Sequence, residues 1–281
     1  MEISQGSVAV VTGAASGIGA ALGQAFATAG CSVVLADVDA AALDAVAATI
    51  GGDVLAVVTD VSAATDVERL AEAAFDRFGA VHILCNNAGV STFNPIVAQT
   101  LDDWQWVLGV NLWGVVHGVQ AFLPRMLAQG QPSHIVNTSS LAGLASGLPS
   151  LGPYNVSKVG VVALSETLRI EMAMAGSPVG VSVLCPGSTP TGILESGRNR
   201  PPGLGTEVRI PEGDQMRDAV RSGFDGPGAR TAAEVADDVL AAVRADRFWI
   251  ITSGEMRELV SARFQEIDGS TPANRAGADR G

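Results

Sequence analysis

The chain has 281 residues, of which 47% are hydrophobic and only 16% are charged. This composition excludes intrinsic disorder, which requires low hydrophobicity and high net charge. The 29 acidic residues outnumber the 17 basic ones and give a formal net charge of −12. Such a chain lacks the basic excess that binds nucleic acid or anionic lipid, so we expect a globular protein with neither a nucleic-acid nor a membrane partner.

The sequence shows no clear membrane span, signal peptide or cysteine pattern. No apolar stretch approaches the roughly 20 residues that span a bilayer, and residues 1–5 lack the basic segment of a signal peptide. Cys31, Cys85 and Cys185 are too scattered for a disulfide framework or a zinc site. We expect buried thiols, no bound metal and a cytoplasmic location.

Short apolar runs alternate along the chain with segments of helical periodicity. The apolar runs are Val8–Val11, Val33–Ala36, Val54–Val58, Val81–Cys85, His134–Asn137, Val179–Cys185 and Phe248–Ile251. The helical segments are Ala20–Ala29, Ala40–Thr49, Ala64–Phe78, Leu101–Leu127, Val156–Ala175 and Ala232–Arg244. This alternation predicts an α/β fold, a parallel sheet with helices on both faces.

No linker or repeat divides the pattern, so we expect one domain over residues 1–267. The interval 190–230 is rich in proline and glycine and is predicted to form a substrate-binding loop. Residues 268–281 are polar and are predicted to form a flexible tail.

Gly13, Gly17 and Gly19 follow the first predicted strand directly. Glycines at a strand–helix junction let the backbone approach a diphosphate, which the N–H groups at the helix start can bind. We expect Ser16 and Ile18, which lie between them, to contact the same dinucleotide. The alternative is a tight turn that merely needs glycine.

Asp37 ends the second predicted strand, 18 positions beyond Gly19. An acidic side chain there can accept hydrogen bonds from the adenosine ribose and would repel a 2′-phosphate. No basic residue lies in the glycine loop or beside Asp37. The sequence therefore favours NAD over NADP. Asp39 fits the alternative role of a solvated loop residue.

The next two strand ends are also expected to contact the cofactor. The residues are Asp60 and Val61 after the third strand, and Asn87, Ala88 and Gly89 after the fourth. Asn86 is expected to tie neighbouring strands together instead. Either cluster alone could be ordinary turn chemistry.

Tyr154 and Lys158 are the only tyrosine and the only lysine in the chain, and their spacing of four residues would place them on one helical face. A phenol has a pKa near ~10, and a neighbouring ammonium lowers it. We expect Lys158 to lower the pKa of Tyr154 by about one to two units, which would make the phenol a general acid/base. The alternative is a surface pair without chemistry.

Two further polar residues complete the candidate site. Ser140 ends the fifth strand and could hydrogen-bond a substrate oxygen, whereas Ser139 is the weaker candidate. Asn111 lies inside a predicted helix, where asparagine is disfavoured, so a positional role is expected. From there it could relay protons to Lys158.

Together these motifs resemble the short-chain dehydrogenase/reductase family over residues 6–190. The resemblance implies a Rossmann-like, doubly wound, seven-stranded sheet, NAD(P) binding and an active site of Asn111, Ser140, Tyr154 and Lys158. It also implies a homotetramer or homodimer packed through the helices that start near Leu101 and Tyr154. Further cofactor contacts are implied at Pro186, Gly187, Thr189 and Thr191, the last two capping the nicotinamide carboxamide.

The implied reaction is reversible hydride transfer between NAD and an apolar secondary alcohol or ketone. The expected apolar pocket walls are Leu141, Leu144, Leu148, Leu151, Ile193, Leu194, Leu204 and Phe224. We interpret the remaining histidines and helix tryptophans as structural: His82, His117, His134, Trp104, Trp106 and Trp113. Imine or enone reduction at the same site, or a dinucleotide sensor without chemistry, are the alternative functions.

Overall fold

A computed structural model describes residues 1–145, 147–254 and 257–270. Seven strands form one parallel sheet in the order β3-β2-β1-β4-β5-β6-β7. The strands are β1 (Val8–Thr12), β2 (Ser32–Asp37), β3 (Val54–Val58), β4 (Ile83–Asn86), β5 (Ser133–Thr138), β6 (Val179–Cys185) and β7 (Trp249–Ile251). The predicted α/β, Rossmann-like fold is confirmed.

Ten α-helices occur within the described residues. They are α1 (Gly17–Thr28), α2 (Ala40–Thr49), α3 (Ala64–Phe78), α4 (Leu101–Leu108), α5 (Gly114–Ala128), α6 (Leu141–Ala145), α7 (Gly152–Met174), α8 (Pro211–Gly223), α9 (Ala232–Arg244) and α10 (Arg257–Gly269). Every predicted helical segment is present, and α2, α3 and α9 have the predicted bounds. Helices α6, α8 and α10 were not predicted.

The interval 190–230 is therefore not a loop throughout. It contains two 3₁₀ segments, Gly192–Asn199 and Pro202–Leu204, followed by α8. Its apolar side chains are too sparse for a helical period to be visible, although Pro211 at the helix start is a common signal. The predicted tail is also corrected at its beginning, because α10 continues to Gly269; residues 271–281 lie outside the described residues.

The core has two layers because successive residues of each strand point to opposite faces. Val8 and Val10 of β1 pack on one face with α3, α5 and α7, whereas Ala9 and Val11 pack on the other with α1, α2 and α9. Both faces of the sheet are thus buried, which accounts for the continuous apolar runs.

The chain order reverses at β1, which pairs with β2 on one side and β4 on the other. Ligands of doubly wound sheets bind at the carboxyl ends of the strands near such a switch point. The loops after β1, β2, β4 and β5 all open at this edge. The glycine loop, Asp37, Asn87 and Ser140 are thereby brought to one side of the molecule.

The helical run Leu101–Ala128 has nearly the predicted bounds, Leu101–Leu127, but it is more apolar than expected. Its 28 residues reach a mean hydropathy of 1.3 over 18 residues, enough by length and composition to cross a membrane, and half of that window is buried inside the protein. Phe122 and Met126 of α5 are completely buried in the core between α3 and the sheet. The run therefore serves as a core helix of this fold.

Candidate active site

A cleft of about 900 Å³ opens at the carboxyl edge of the sheet. Every residue expected to bind the cofactor lines it: Gly13, Ser16, Gly17, Ile18, Gly19, Asp37, Asp60, Val61, Asn87, Ala88, Gly89, Tyr154, Lys158, Pro186, Gly187, Thr189 and Thr191. Ser140 lines it too, whereas Asn111 lies buried behind the wall. The expected dinucleotide and reaction groups thus share one cavity.

The glycine loop is tightly packed because its backbone contacts itself and the backbone after β4 directly. A Cβ on Gly19 would lie 2.0 Å from the carbonyl oxygen of Gly13, and one on Gly13 would lie 2.7 Å from Cα of Ala88. Gly13 and Gly17 also have positive φ angles of 68° and 54°. A side chain at Gly13 or Gly19 would force this loop apart.

Thr12 joins this loop to the end of β4. Its hydroxyl accepts hydrogen bonds from the N–H groups of Asn87 (2.9 Å) and Ala88 (3.1 Å), and its carbonyl accepts one from the Asn87 amide (3.0 Å). Asn86 points away from the cleft and donates to Asn137 on β5 at 2.9 Å, as expected for a strand tie. Two neighbouring strand ends therefore form one rigid wall.

Backbone hydrogen bonds hold the Asp37 carboxylate at the cleft. One oxygen accepts from the N–H of Ala15 and the other from the N–H of Asp39, each at 3.0 Å. No basic side chain within the described residues forms an ion pair with Asp37. Asp39 has a structural role outside cofactor binding, because its side chain caps α2 by accepting a hydrogen bond from the N–H of Ala42 at 3.1 Å.

The Asp60–Val61 turn forms the side wall next to Asp37. Asp60 accepts hydrogen bonds from the N–H and hydroxyl of Ser62 at 2.9 and 2.7 Å, so its carboxylate stabilises the turn. Val61 is buried, and its carbonyl lies 2.9 Å from Nδ1 of His117. The buried Val61, held in place by this contact, offers an apolar surface that could pack against the adenine ring of a dinucleotide.

Tyr154, Lys158 and Ser140 meet at the opposite end of the cleft. Lys158 Nζ lies 5.5 Å from the centre of the Tyr154 ring and donates to the carbonyl of Thr138 at 2.9 Å. Ser140 lies beside the phenol, where its hydroxyl lowers the pKa of Tyr154, and it also accepts from the N–H of Ala142 at 3.1 Å. Ser139 also lines the cleft, but its hydroxyl donates to the Lys158 carbonyl at 2.7 Å and so stabilises the backbone of α7.

The expected low pKa of Tyr154 is wrong for the protein without ligand. Burial raises the pKa of Tyr154 above 10, and this effect outweighs the influence of the Ser140 hydroxyl, which lowers it. Burial also lowers the pKa of Lys158 from 10.5 to about 8. Lys158 therefore loses its proton at a lower pH than the phenol does, and it carries no charge that could offset desolvation of the phenolate when Tyr154 titrates.

An ultraviolet difference titration can test this directly, because Tyr154 is the only tyrosine. We expect the ligand-free protein to show a single phenol pKa above 10, since burial disfavours the phenolate. Circular dichroism at each pH serves as the control for folding. A folded-state pKa below 10 would show that the local charges outweigh burial.

Asn111 lies in a five-residue π-helical turn, Gly109–Trp113, between α4 and α5. Its side chain accepts from the N–H of Val90 (2.8 Å) and donates to the Val90 carbonyl (2.9 Å) and the Ser157 hydroxyl (3.1 Å). It has no direct hydrogen bond to Lys158, although both side chains approach Gly89. Asn111 thus positions the β4 loop and α7 relative to each other, and such π turns often occur at functional sites.

The segment after β6 closes the cleft from above. Gly187 donates to the Thr252 hydroxyl at 3.2 Å, and Thr189 is buried with its own hydroxyl unpaired among the described residues. Thr191 touches the glycine loop, because a Cβ on Gly17 would lie 3.0 Å from its methyl group. An unpaired buried hydroxyl is a ready partner for a polar ligand group.

The apolar part of the cleft is only partly as predicted. Leu141, Leu148, Leu151, Ile193 and Phe224 line it, as expected. Leu194 and Leu204 pack behind the wall, against Phe93 and Trp106 respectively, and Leu144 packs against the core. The predictions that Leu144, Leu194 and Leu204 line the cleft are therefore wrong. Successive side chains on a short helical turn point alternately into the cavity and into the protein behind it.

Sequence reasoning also missed several wall residues. Phe93, Trp106, Val220, Arg198 and Arg200 line the cleft although no local motif marks them. Trp106 had been interpreted as a packing residue, and its helical spacing gave no sign of which neighbour it faces.

Side chains far from the cleft have structural roles. His82 accepts from the N–H of Val8 at 3.0 Å, and His134 lies 2.7 Å from the Ser182 hydroxyl. All three cysteines are buried free thiols, as expected.

Comparisons with known proteins agree with this geometry. A family model described as short chain dehydrogenase matches residues 7–201. The 1-deoxy-11-beta-hydroxypentalenate dehydrogenase of Streptomyces arenae is 36% identical over 271 residues, which cover 94% of this chain and 88% of the relative. The C alpha-dehydrogenase of a Sphingobium species is 35% identical over 271 residues, covering 95% and 87% respectively.

A solved structure is also similar. A short-chain dehydrogenase/reductase from Burkholderia phymatum in complex with NAD is 41% identical, with a TM-score of 0.92 over 97% of this chain and 99% of that one. The motifs that first indicated the resemblance thus occur in the matching fold and converge on one cleft. The chain belongs to the short-chain dehydrogenase/reductase family of oxidoreductases.

Proposed function

We propose that this protein is an NAD-dependent oxidoreductase that interconverts an apolar secondary alcohol and its ketone. The observation that carries the proposal is the position of Tyr154, Ser140 and Lys158 at one end of the same cleft that the glycine loop and Asp37 occupy at the other. A hydroxyl substrate placed between them would lie beside both the acid/base group and the dinucleotide.

The cleft has the features that a nicotinamide dinucleotide needs. The glycine loop has no side chains at the positions where backbone must approach a diphosphate, and the start of α1 directs N–H groups into the cleft. Asp37 would face the adenosine ribose, and Thr189, whose hydroxyl has no partner among the described residues, would face the nicotinamide. Bound there, NAD would supply the hydride acceptor.

The chain's own residues would handle the proton. Ser140 hydrogen-bonds the substrate oxygen and orients the reacting carbon. Tyr154 accepts the hydroxyl proton during oxidation and returns it during reduction. Lys158 is buried beside the phenol, and its protonated form would stabilise the phenolate that this step requires. Asn111 holds the surrounding loops in position.

The cleft wall supports the proposed apolar substrate. Phe93, Trp106, Leu148, Ile193 and Phe224 present apolar surface next to Tyr154. The Streptomyces relative is named for a hydroxypentalenate substrate, which supports a hydroxyl group as the reacting centre. A bulky, mostly hydrocarbon secondary alcohol fits these walls.

A screen of hydrophobic secondary alcohols with NAD, monitored by NADH absorbance, tests the proposal. We expect turnover with at least one alcohol. NAD binding without turnover across alcohols, imines and enones would favour the sensor alternative. Turnover only with imines or enones would favour the alternative reaction.

We expect NAD to bind at least tenfold more tightly than NADP, a difference of about 1.4 kcal/mol. The Asp37 carboxylate would accept ribose hydrogen bonds from NAD and repel the 2′-phosphate of NADP. Titrations of protein fluorescence with each cofactor measure the ratio. Asp37→Ser should reduce the ratio of NAD to NADP affinity. Asp53→Ser should leave this ratio unchanged, because it removes only an exposed carboxylate that pairs with Arg77. Equal affinities in the wild type would contradict the assignment.

We also propose a homodimer or homotetramer assembled through α4, α5 and α7. Large apolar side chains on these helices and on the π-helical turn between α4 and α5 are exposed in the single chain: Leu101 (86%), Trp113 (55%), Val156 (50%) and Ile170 (52%). Apolar surface concentrated on neighbouring helices is typical of protein–protein interfaces.

A further inference from the structure

Six arginines lie in the segment that covers the cleft, and one of them differs from the rest. Arg200, Arg209, Arg217, Arg221 and Arg230 each form an ion pair with a carboxylate. Arg198 forms none within the described residues, although it lines the cleft and is exposed. A guanidinium without a counter-charge in an otherwise acidic protein is available to an anionic ligand.

The Arg198 guanidinium is nevertheless held in place. Its Nη1 donates to the carbonyls of Gly192 and Glu195, each at 3.0 Å. A Cβ on Gly192 would lie 3.2 Å from both Nη1 and Nη2, so the guanidinium rests on this glycine. Glu195 cannot neutralise it, because its carboxylate pairs with Arg221 at 3.3 Å. Among the described residues, the N–H groups of Nε and Nη2 have no hydrogen-bond partner, and the bonds from Nη1 orient them as a planar fork.

The position of this fork indicates which anion it would meet. Gly192 follows Thr191, whose side chain contacts the glycine loop at Gly17. That loop is expected to carry the dinucleotide diphosphate, yet it contains no charged side chain. Backbone N–H groups and the helix dipole supply only about half a positive charge there.

We propose that Arg198 binds the diphosphate of the dinucleotide from the side opposite the glycine loop. This inference rests on the proposed dinucleotide-binding function. The free N–H groups would form charge-assisted hydrogen bonds to phosphate oxygens and hold the covering segment over the bound cofactor. The charge that the glycine loop lacks would thus come from the other wall of the cleft.

Binding measurements with parts of the cofactor test the assignment. Dissociation constants for NAD, ADP and adenosine would be measured by calorimetry at low ionic strength. We expect Arg198→Ala to weaken NAD and ADP by about tenfold and to leave adenosine, which has no phosphate, unchanged. Arg198→Lys should recover part of the loss, because an ammonium keeps the charge but not the fork.

Arg209→Ala is the matched control, because Arg209 is an exposed arginine of the same segment that pairs with Asp214 and does not line the cleft. It should change each constant by less than twofold. Wild-type affinity for NAD and ADP in Arg198→Ala would overturn the inference while leaving the proposed function intact. Equal weakening of adenosine would overturn it too, since that would indicate damage to the cleft.

Two further outcomes are also decisive. Unchanged NAD and ADP affinity with a raised KM for a carboxylate-bearing alcohol would assign the guanidinium to the substrate instead and overturn the inference. A wild-type protein that bound neither NAD nor ADP would overturn both this inference and the proposed function.

Discussion

Replacing Tyr154 with phenylalanine should reduce alcohol turnover by at least ~100-fold, the lower range for losing a general acid/base. The phenol lies in the cleft close enough to Ser140 for the serine to lower its pKa, and the substitution removes only the phenol hydroxyl. Steady-state rates with NAD and the best alcohol from the screen measure the effect. The affinity for NAD should change by less than about twofold, because the hydroxyl acts on the substrate.

A matched control comes from Trp104 on α4, which adjoins the start of α7 without lining the cleft. Trp104→Phe also replaces an aromatic side chain with phenylalanine near Tyr154, and it should keep turnover within a few fold. Near-normal turnover in Tyr154→Phe would remove Tyr154 from the proposed mechanism.

The parts of this site that could be predicted from sequence are local. Gly13, Gly17 and Gly19 are required where backbone meets backbone within one strand–helix turn, so their spacing alone carries the information. Tyr154 and Lys158 share a helical face because they are four residues apart. The strands were evident because a sheet buried on both faces requires continuous apolar runs.

The parts that could not be predicted depend on tertiary packing. Whether Leu194 faces the cavity or Phe93 depends on how a short 3₁₀ segment lies on a distant loop. Helix α8 is held by a partly buried ion pair between Arg217 and Glu207 at 3.0 Å, a contact that no spacing rule reveals. Arg198 could not be singled out from the sequence for the same reason, because tertiary packing decides which arginines form ion pairs with carboxylates.

The pKa of Tyr154 was mispredicted because distance alone does not determine it. The sequence indicates that an ammonium lies near the phenol, but not how far water is excluded from both groups. Burial disfavours both charged forms, so it raises the pKa of Tyr154 and lowers that of Lys158. The same desolvation means that the protonated Lys158 side chain destabilises the folded state.

Replacing Lys158 with methionine should abolish most turnover and yet stabilise the protein at pH 7. The pKa of Lys158 is lowered from 10.5 to about 8 in the folded state, so holding its proton there costs about 3 kcal/mol. Methionine has a similar length and no charge to desolvate. The lost hydrogen bond to the Thr138 carbonyl offsets about 1 kcal/mol. The net gain in the free energy of unfolding is expected to be about 2 kcal/mol.

The gain should depend on pH with a defined sign. Below pH 8 both folded and unfolded wild-type chains carry the Lys158 proton, and the full penalty is present. Between pH 8 and 10.5 the folded state releases the proton while the unfolded state keeps it, so rising pH stabilises the wild type. At pH 10 only about 1 kcal/mol of the penalty remains, and Lys158→Met and the wild type should have nearly equal stability.

Urea unfolding of both proteins at pH 7 and pH 10 measures this difference, with each pair compared at the same pH so that other titrating groups cancel. Arg69→Met is the control, because it removes a positive charge from a side chain that is 66% exposed. Its stability difference from the wild type should be small and the same at both pH values. If Lys158→Met were less stable than the wild type at pH 7, or if its advantage persisted at pH 10, the buried ammonium would not be the destabilising group. In that case the raised pKa of Tyr154 would need a cause other than the shared desolvation of these two residues.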